Sequence, residues 1–119
     1  MATDPAHETD TSVTPEYNRS IPSALKNAID FLYREWNNKA AGFVSYGSNV
    51  GGARAVEHLR LVTAGLQLAG VRTQVSLSLA TDFAAFTTFT PSEHHNTVLR
   101  QLVTEVAAWA DVLAPLRRP

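Results

Sequence analysis

Between two stretches of helical periodicity lies the run from Ala40 to Tyr46, mostly apolar and too short to make an independent helix. A run of this kind is typical of a strand covered on both faces, which points to a parallel sheet with helices crossing over it. The first helical stretch carries Ile21, Leu25, Ala28, Ile29, Leu32, Tyr33 and Trp36 on one stripe, with Pro22 in the first turn, where helices accept proline. Asn37-Asn38 ends that periodicity. The second stretch follows a glycine-bearing loop, Ser45 to Gly52, and shows Ala53, Val56, Leu59, Val62 or Thr63, and Leu66 before Gly70 stops it.

From Val71 the period changes. Val75, Leu77 and Leu79 alternate with Gln74, Ser76 and Ser78, so this strand has one apolar and one polar face and belongs at a sheet edge. Thr81 to Phe89 reads as a loop bearing Phe83, Phe86 and Phe89. Thr90-Pro91-Ser92-Glu93 then supplies a capping-box start to a long helix, with a stripe of Val98 or Leu99, Leu102, Val103, Val106, Trp109, Ala110 and Leu113, which Pro115 closes.

This order of loop, helix, strand, helix, strand and helix is that of an α/β parallel sheet with right-handed crossovers. Two strands are certain, and they cover too little of three amphipathic helices, so further strands are expected from elsewhere. The 119 residues are 45% hydrophobic, enough for one small core. Residues 1–13 read as a disordered tail, because Val13 is their only strong apolar side chain, and residues 14–119 as the domain.

A formal charge of −1 gives no electrostatic reason to expect nucleic acid or an anionic membrane as partner. The absence of cysteine removes disulfides, thiolate nucleophiles and thiolate metal sites, and fits a reducing cytoplasm. No stretch approaches the ~20 apolar residues of a membrane helix, and the amino terminus lacks the pattern of a signal peptide.

The segment Thr14-Pro15-Glu16-Tyr17-Asn18-Arg19-Ser20-Ile21-Pro22, continuing through Leu25-Lys26-Asn27-Ala28-Ile29-Asp30, resembles the flavin-contacting segment of the NADPH-dependent FMN reductase family. A second match, Ser45-Tyr46-Gly47-Ser48-Asn49-Val50-Gly51-Gly52-Ala53-Arg54-Ala55, is similar to that family's second flavin loop and the helix after it. The resemblance implies a partial flavodoxin-like, doubly wound parallel sheet with its ligand beyond the carboxyl ends of the strands. It implies FMN as cofactor, NAD(P)H as electron donor, a small electron acceptor, and a homo-oligomer or a complementing chain as partner. Pro15, Glu16, Tyr17 and Asn18 are expected to border the flavin, with Ser20, Gly47, Gly51 and Gly52 completing the pocket.

The residue types suit that task on chemical grounds. Tyr17 offers aromatic contact with a hydroxyl, and Asn18 a donor and an acceptor in one plane, matching an imide-like edge. Glycines at 47, 51 and 52 allow close backbone approach, and N–H groups opening the next helix are expected to stabilise charge on reduced flavin. The redox chemistry belongs to the flavin, so no catalytic side chain is assigned.

Family members begin with a strand and a phosphate-cradling loop rich in Ser, Gly and Arg, and a later strand feeds the Pro-Glu-Tyr-Asn loop; neither is recognisable here. Residues 1–13 contain no glycine and no arginine, so the match covers the carboxy-terminal portion of the fold. A truncated product, half of a split flavoprotein, and a degenerate remnant or interaction module all fit this pattern.

Trp36 reads as a packing residue from its helical phase. His94 and His95 are adjacent and point about 100° apart on a helix, unlike a metal-binding pair. Arg54 reads as an exposed charge opening a helix.

Overall fold

A computed structural model describes residues 9–117. Its central feature is a three-stranded parallel sheet ordered β1-β2-β3, formed by β1 (Thr9–Pro15), β2 (Ala40–Gly47) and β3 (Ala69–Ser78). Helix α1 (Ser23–Asp30) and a 3-10 turn (Arg34–Trp36) connect β1 to β2, and α2 (Ala53–Gly65) connects β2 to β3. A small antiparallel pair, β4 (Phe83–Ala84) and β5 (Thr88–Phe89), precedes the long α3 (Glu93–Arg117).

The sheet separates two apolar layers. On one face Phe43 and Ala41 of β2 meet Ile29, Trp36, Val56 and Leu59. On the other, Ala40, Val71 and Val75 pack against Leu102, Val106 and Ala110 of α3. Helices on both faces make the sheet doubly wound; the chain is α/β, as the alternation of periods predicts, with the partial flavodoxin-like architecture that the resemblance implies. β2 lies in the middle and is buried on both sides.

β1 corrects the reading of residues 1–13. Thr9 to Val13 is not part of a tail; it runs parallel to β2 in register from Thr9↔Ala40 to Pro15↔Tyr46. Residues 1–8 lie outside the described residues. The strand that feeds the Pro-Glu-Tyr-Asn segment is therefore present. Its stabilisation comes from a full ladder with a buried neighbour rather than from apolar side chains of its own, and this tertiary gain offsets the ordering cost that composition alone leaves unmet.

The first helix is shorter than its apolar spacing predicts. It stops at Asp30, and the chain re-enters the core through the 3-10 turn, where Trp36 Nε1 donates to the Ile29 carbonyl at 3.0 Å. Trp36 is buried and packs, as expected. Phe31 and Tyr33, between the two turns, are exposed. At the other end of the chain Ser92, not Thr90, caps α3: its hydroxyl accepts from the His95 N–H at 3.3 Å. Pro115 lies inside α3 and does not end it.

A register shift interrupts the β2–β3 ladder, where Ala41 pairs with Gly70 but Phe43 pairs with Gln74. The extra residues free backbone groups, and side chains satisfy them. Arg60 donates to the Val71 carbonyl at 2.9 Å and to the Arg72 carbonyl at 3.2 Å, while its guanidinium lies 4.8 Å from the Phe43 ring centre. From the opposite layer Glu105 accepts from the Thr73 N–H at 3.2 Å and from the Thr73 hydroxyl at 2.5 Å. Those bonds hold the Glu105 carboxyl below the usual carboxylate range.

Candidate functional site

Parallel strands put their carboxyl ends on one edge, and the pairing of Pro15 with Tyr46 and of Gly47 with Ser78 aligns all three ends. The two segments singled out in the sequence leave from adjacent strands there. Residues 17–20 form a tight turn in which the Tyr17 N–H donates to the Ser20 carbonyl at 2.9 Å and the Ser20 N–H to the Tyr17 carbonyl at 3.0 Å. Asn18 and Arg19 occupy its corners with φ of 51° and 71°. Asparagine tolerates that left-handed conformation, and the turn leaves Tyr17 and Asn18 exposed at its outer rim.

The second loop folds back over the strands beneath it. Gly51 and Gly52 have φ of 65° and 82°, and a Cβ on Gly52 would stand 2.7 Å from the Ser45 Cβ and 2.9 Å from the Tyr46 backbone. Ser45 Oγ donates to the Gly51 carbonyl at 2.7 Å, and the Leu79 N–H donates to the Gly47 carbonyl at 2.9 Å. Gly47, Gly51 and Gly52 are buried and fit the loop against its own sheet, whereas Ser48, Asn49 and Val50 are the exposed residues of that loop. Sequence reasoning did not single out those three, although their place between the glycines is the signal for a rim.

Glu16 joins the two segments. Its carboxylate accepts from Arg54 Nε at 2.8 Å and from Arg54 Nη2, and from the Ala55 N–H at 3.2 Å. The Glu16 side chain is 8% exposed. Arg54, hydrogen-bonded to it, holds its carboxyl below the usual carboxylate range, with burial working against the shift. Arg54 is accordingly not a bare surface charge. The carboxylate also takes a free N–H in the first turn of α2, where the helix dipole favours an anion, while the Ala53 N–H goes to the Val50 carbonyl at 3.2 Å. The helix opening expected to face an external negative charge is therefore engaged by the protein itself.

Ser20 turns away from the rim toward α2, its hydroxyl 2.9 Å from His58 Nδ1. Asp82 and His95 form a further pair at the same end of the sheet, with Asp82 Oδ1 2.8 Å from His95 Nε2. Burial acts to raise the Asp82 carboxyl, but the Ser78 N–H, His95 and Thr81 outweigh it and leave it low. The pairing of His95 with an acid thirteen residues earlier escaped sequence reasoning because neither residue lies on a shared helical face.

An apolar cavity of about 360 Å³ lies elsewhere, between β1, α1 and α2, lined by Leu25, Ile29, Leu32, Trp36 and Leu59 with Asp10 at its border. Burial raises the Asp10 carboxyl, and Lys39 partly opposes the shift. This cavity contains none of the site residues named above. Among the described residues no group of three or more His, Asp or Glu side chains is arranged to hold a metal ion, and no helix is long and apolar enough to cross a membrane.

Comparison with known proteins identifies the family. The model of the NADPH-dependent FMN reductase family matches residues 12–82. The NAD(P)H-dependent FMN reductase LOT6 of Saccharomyces cerevisiae is 52% identical over 56 residues, which cover 47% of this chain and 29% of that protein. The NAD(P)H:quinone oxidoreductase of Solanum tuberosum is 48% identical over 58 residues, covering 46% of this chain and 30% of that protein. The match therefore spans about a third of those relatives. In three dimensions the chain resembles FerB of Paracoccus denitrificans, a flavoenzyme NAD(P)H:(acceptor) oxidoreductase, with TM-score 0.57 and 27% identity over 92% of this chain and 63% of that one. The matched stretch runs from β1 through the first loop, α1, β2, the glycine loop, α2 and β3, and the chain belongs to the NADPH-dependent FMN reductase family.

Proposed function

We propose that this chain serves a flavin-dependent oxidoreductase that passes electrons from NAD(P)H through FMN to free flavin or a quinone-like acceptor. The observation that carries this reading is the Glu16–Arg54 link, which ties the segment leading into the Tyr17-Asn18 turn to the helix that follows the exposed Ser48-Asn49-Val50 loop. A planar tricyclic ring with one polar edge needs aromatic contact and a few aimed amide or hydroxyl groups, and this rim offers both. Pro15, Glu16, Tyr17, Asn18 and Ser20 would border or brace the ring on one side, and Gly47, Gly51 and Gly52 would shape the loop on the other. Bound FMN supplies the hydride and electron chemistry. The protein's own contribution is to orient the ring and keep the rim rigid.

The names of the relatives support NAD(P)H as donor and quinones as acceptors. The exposed faces of Val13, Val103 and Trp109, together with the cavity beside β1, support a homo-oligomer or a complementing chain as partner. The absence of cysteine supports the cytoplasm as its location.

The test is a titration of the purified chain with FMN and with riboflavin, followed by flavin fluorescence, and then NADPH oxidation in the presence of a quinone. Binding of both flavins is expected, weakened about tenfold by Tyr17→Ala through loss of one aromatic contact. A chain that binds neither flavin, alone or with a co-expressed partner carrying a phosphate loop, is a structural remnant or interaction module.

A further inference from the structure

Beside the Tyr17–Ser20 turn, a groove of about 420 Å³ is lined by Ser20, Ile21, Lys26, His58, Leu61 and Val62. Its two sides differ in chemistry. Ile21, Val62 and the 76%-exposed Leu61 make an apolar wall. Lys26, His58 and the Ser20 hydroxyl make a rim of hydrogen-bond donors and positive charge.

The Ser20–His58 bond presents a donor outward in either tautomer. If Nδ1 accepts from the Ser20 hydroxyl, the imidazole proton resides on Nε2; if Nδ1 donates, the Ser20 hydroxyl hydrogen is left for a ligand. Lys26 is held by Asp30 at 2.8 Å, but both side chains are about half exposed, at 47% and 55%. An exposed pair of this sort is weak, so a doubly charged anion can take the ammonium from Asp30. On α2 the neighbouring charges are engaged, Arg54 with Glu16 and Glu57 with Arg60 at 3.9 Å, while the exposed Arg19 beside Ser20 adds to the positive charge of this end.

The geometry points to this groove as the seat of the adenosine 2′-phosphate end of NADPH, the purine against Ile21, Leu61 and Val62 and the phosphate on Lys26, His58 and Ser20. An apolar wall beside a cationic, donor-rich rim matches a nucleotide, whose base is flat and weakly polar and whose phosphate monoester carries nearly two charges. Ser20 is the last residue of the turn that presents Tyr17, so the groove adjoins that turn on its α2 side. This inference rests on the flavin reading for its biological meaning, but not for its test.

The test uses the chain without flavin and adenosine 2′,5′-bisphosphate as probe, with 5′-AMP as comparison, followed by amide chemical shifts and calorimetry. Saturable shifts are expected at Ser20, Lys26, His58 and Leu61, with the bisphosphate binding about tenfold more tightly than 5′-AMP. Lys26→Ala should weaken the bisphosphate about tenfold, and Asp30→Asn, which frees the lysine, should tighten it about threefold. Lys26, Asp30 and His58 are exposed, so the variants keep the fold, which the shifts of the remaining amides verify. Shifts that map elsewhere, equal affinity for 5′-AMP, or affinities indifferent to both substitutions overturn the assignment. A chain that binds the bisphosphate but no flavin loses the functional reading and keeps this one; flavin binding without bisphosphate binding gives the reverse.

Discussion

Glu16 and Arg54, thirty-eight residues apart, meet in a two-pronged ion pair that ties the segment after β1 to the first turn of α2. Neither residue needs to touch a ligand for the pair to matter. Tyr17 and Asn18 follow Glu16 directly, and the Ser48-Asn49-Val50 rim precedes Arg54, so the bond sets the spacing between the two rims. A carboxylate that also accepts a helix N–H has its direction fixed as well as its position.

The first prediction follows from that pair. The Glu16 carboxyl is lowered in the folded chain, so its stabilisation is present above about pH 4.3, the unfolded value, and is lost as pH falls through the lower folded value. Glu16→Gln should cost about 1 kcal/mol at pH 7, modest because Arg54 is partly solvated, and should flatten the fall in stability below pH 4.3. Urea midpoints at pH 7 and at pH 3 decide it. Asp82 and Glu105 are lowered too and keep a residual slope, while the raised Asp10 acts in the opposite sense.

Glycines 52 and 65 should respond in opposite directions. At Gly52 a methyl group meets the Ser45 Cβ at 2.7 Å and a backbone with φ of 82°, so Gly52→Ala should cost about 2–5 kcal/mol from strain and overpacking together. At Gly65, at the end of α2, nothing lies within 4 Å of an added Cβ. Gly65→Ala should therefore gain about 0.4–1 kcal/mol by restricting the unfolded chain. Thermal melts of the two variants beside the parent test both signs at once.

The Asp82–His95 pair gives a local prediction. Asp82 accepts from the Ser78 N–H at 2.8 Å and from His95, and its carbonyl accepts from the Thr90 N–H at 2.8 Å, so it anchors both ends of the β4–β5 hairpin. Asp82→Asn should weaken the hairpin by about 1–2 kcal/mol while leaving β1–β3 intact. Hydrogen exchange should show faster amides over residues 83–90 and unchanged protection in β2.

How far the sequence revealed this architecture can be judged element by element. The apolar run of β2, the alternation of β3 and the period of α2 were legible because burial on a sheet or helix imposes a repeat on the side chains. β1 was not, because an edge strand with threonines and a serine takes its stability from the ladder to β2; Thr9, Thr11 and Val13 are β-branched at alternate positions, and that was its available signal. The two loops were legible as a resemblance in their motifs, but the contacts within and between them were not. Which glycines are buried, and that Glu16 reaches Arg54, depends on contacts between segments far apart in the chain, which no local pattern encodes.

The last prediction concerns Gly42, a glycine in the middle of a buried strand, where the residue ordinarily weakens pairing. Its place is explained by α3: a Cβ there would lie 2.7 Å from Leu102 Cδ2 and 2.9 Å from Val106 Cγ2. Leu102 is fully buried, so Leu102→Ala should cost about 2–5 kcal/mol through lost transfer energy and a cavity. Gly42→Ala alone should cost about 1–3 kcal/mol, because the helix must shift outward to admit the methyl group. Together the two changes are not independent: the alanine at 42 enters the space that Leu102 vacates. The double variant should be more stable than the sum of the single costs predicts, by about 1 kcal/mol or more, as measured by a double-mutant cycle in urea. Strict additivity would mean that the strand and the helix are not in the close contact that makes glycine necessary at this position.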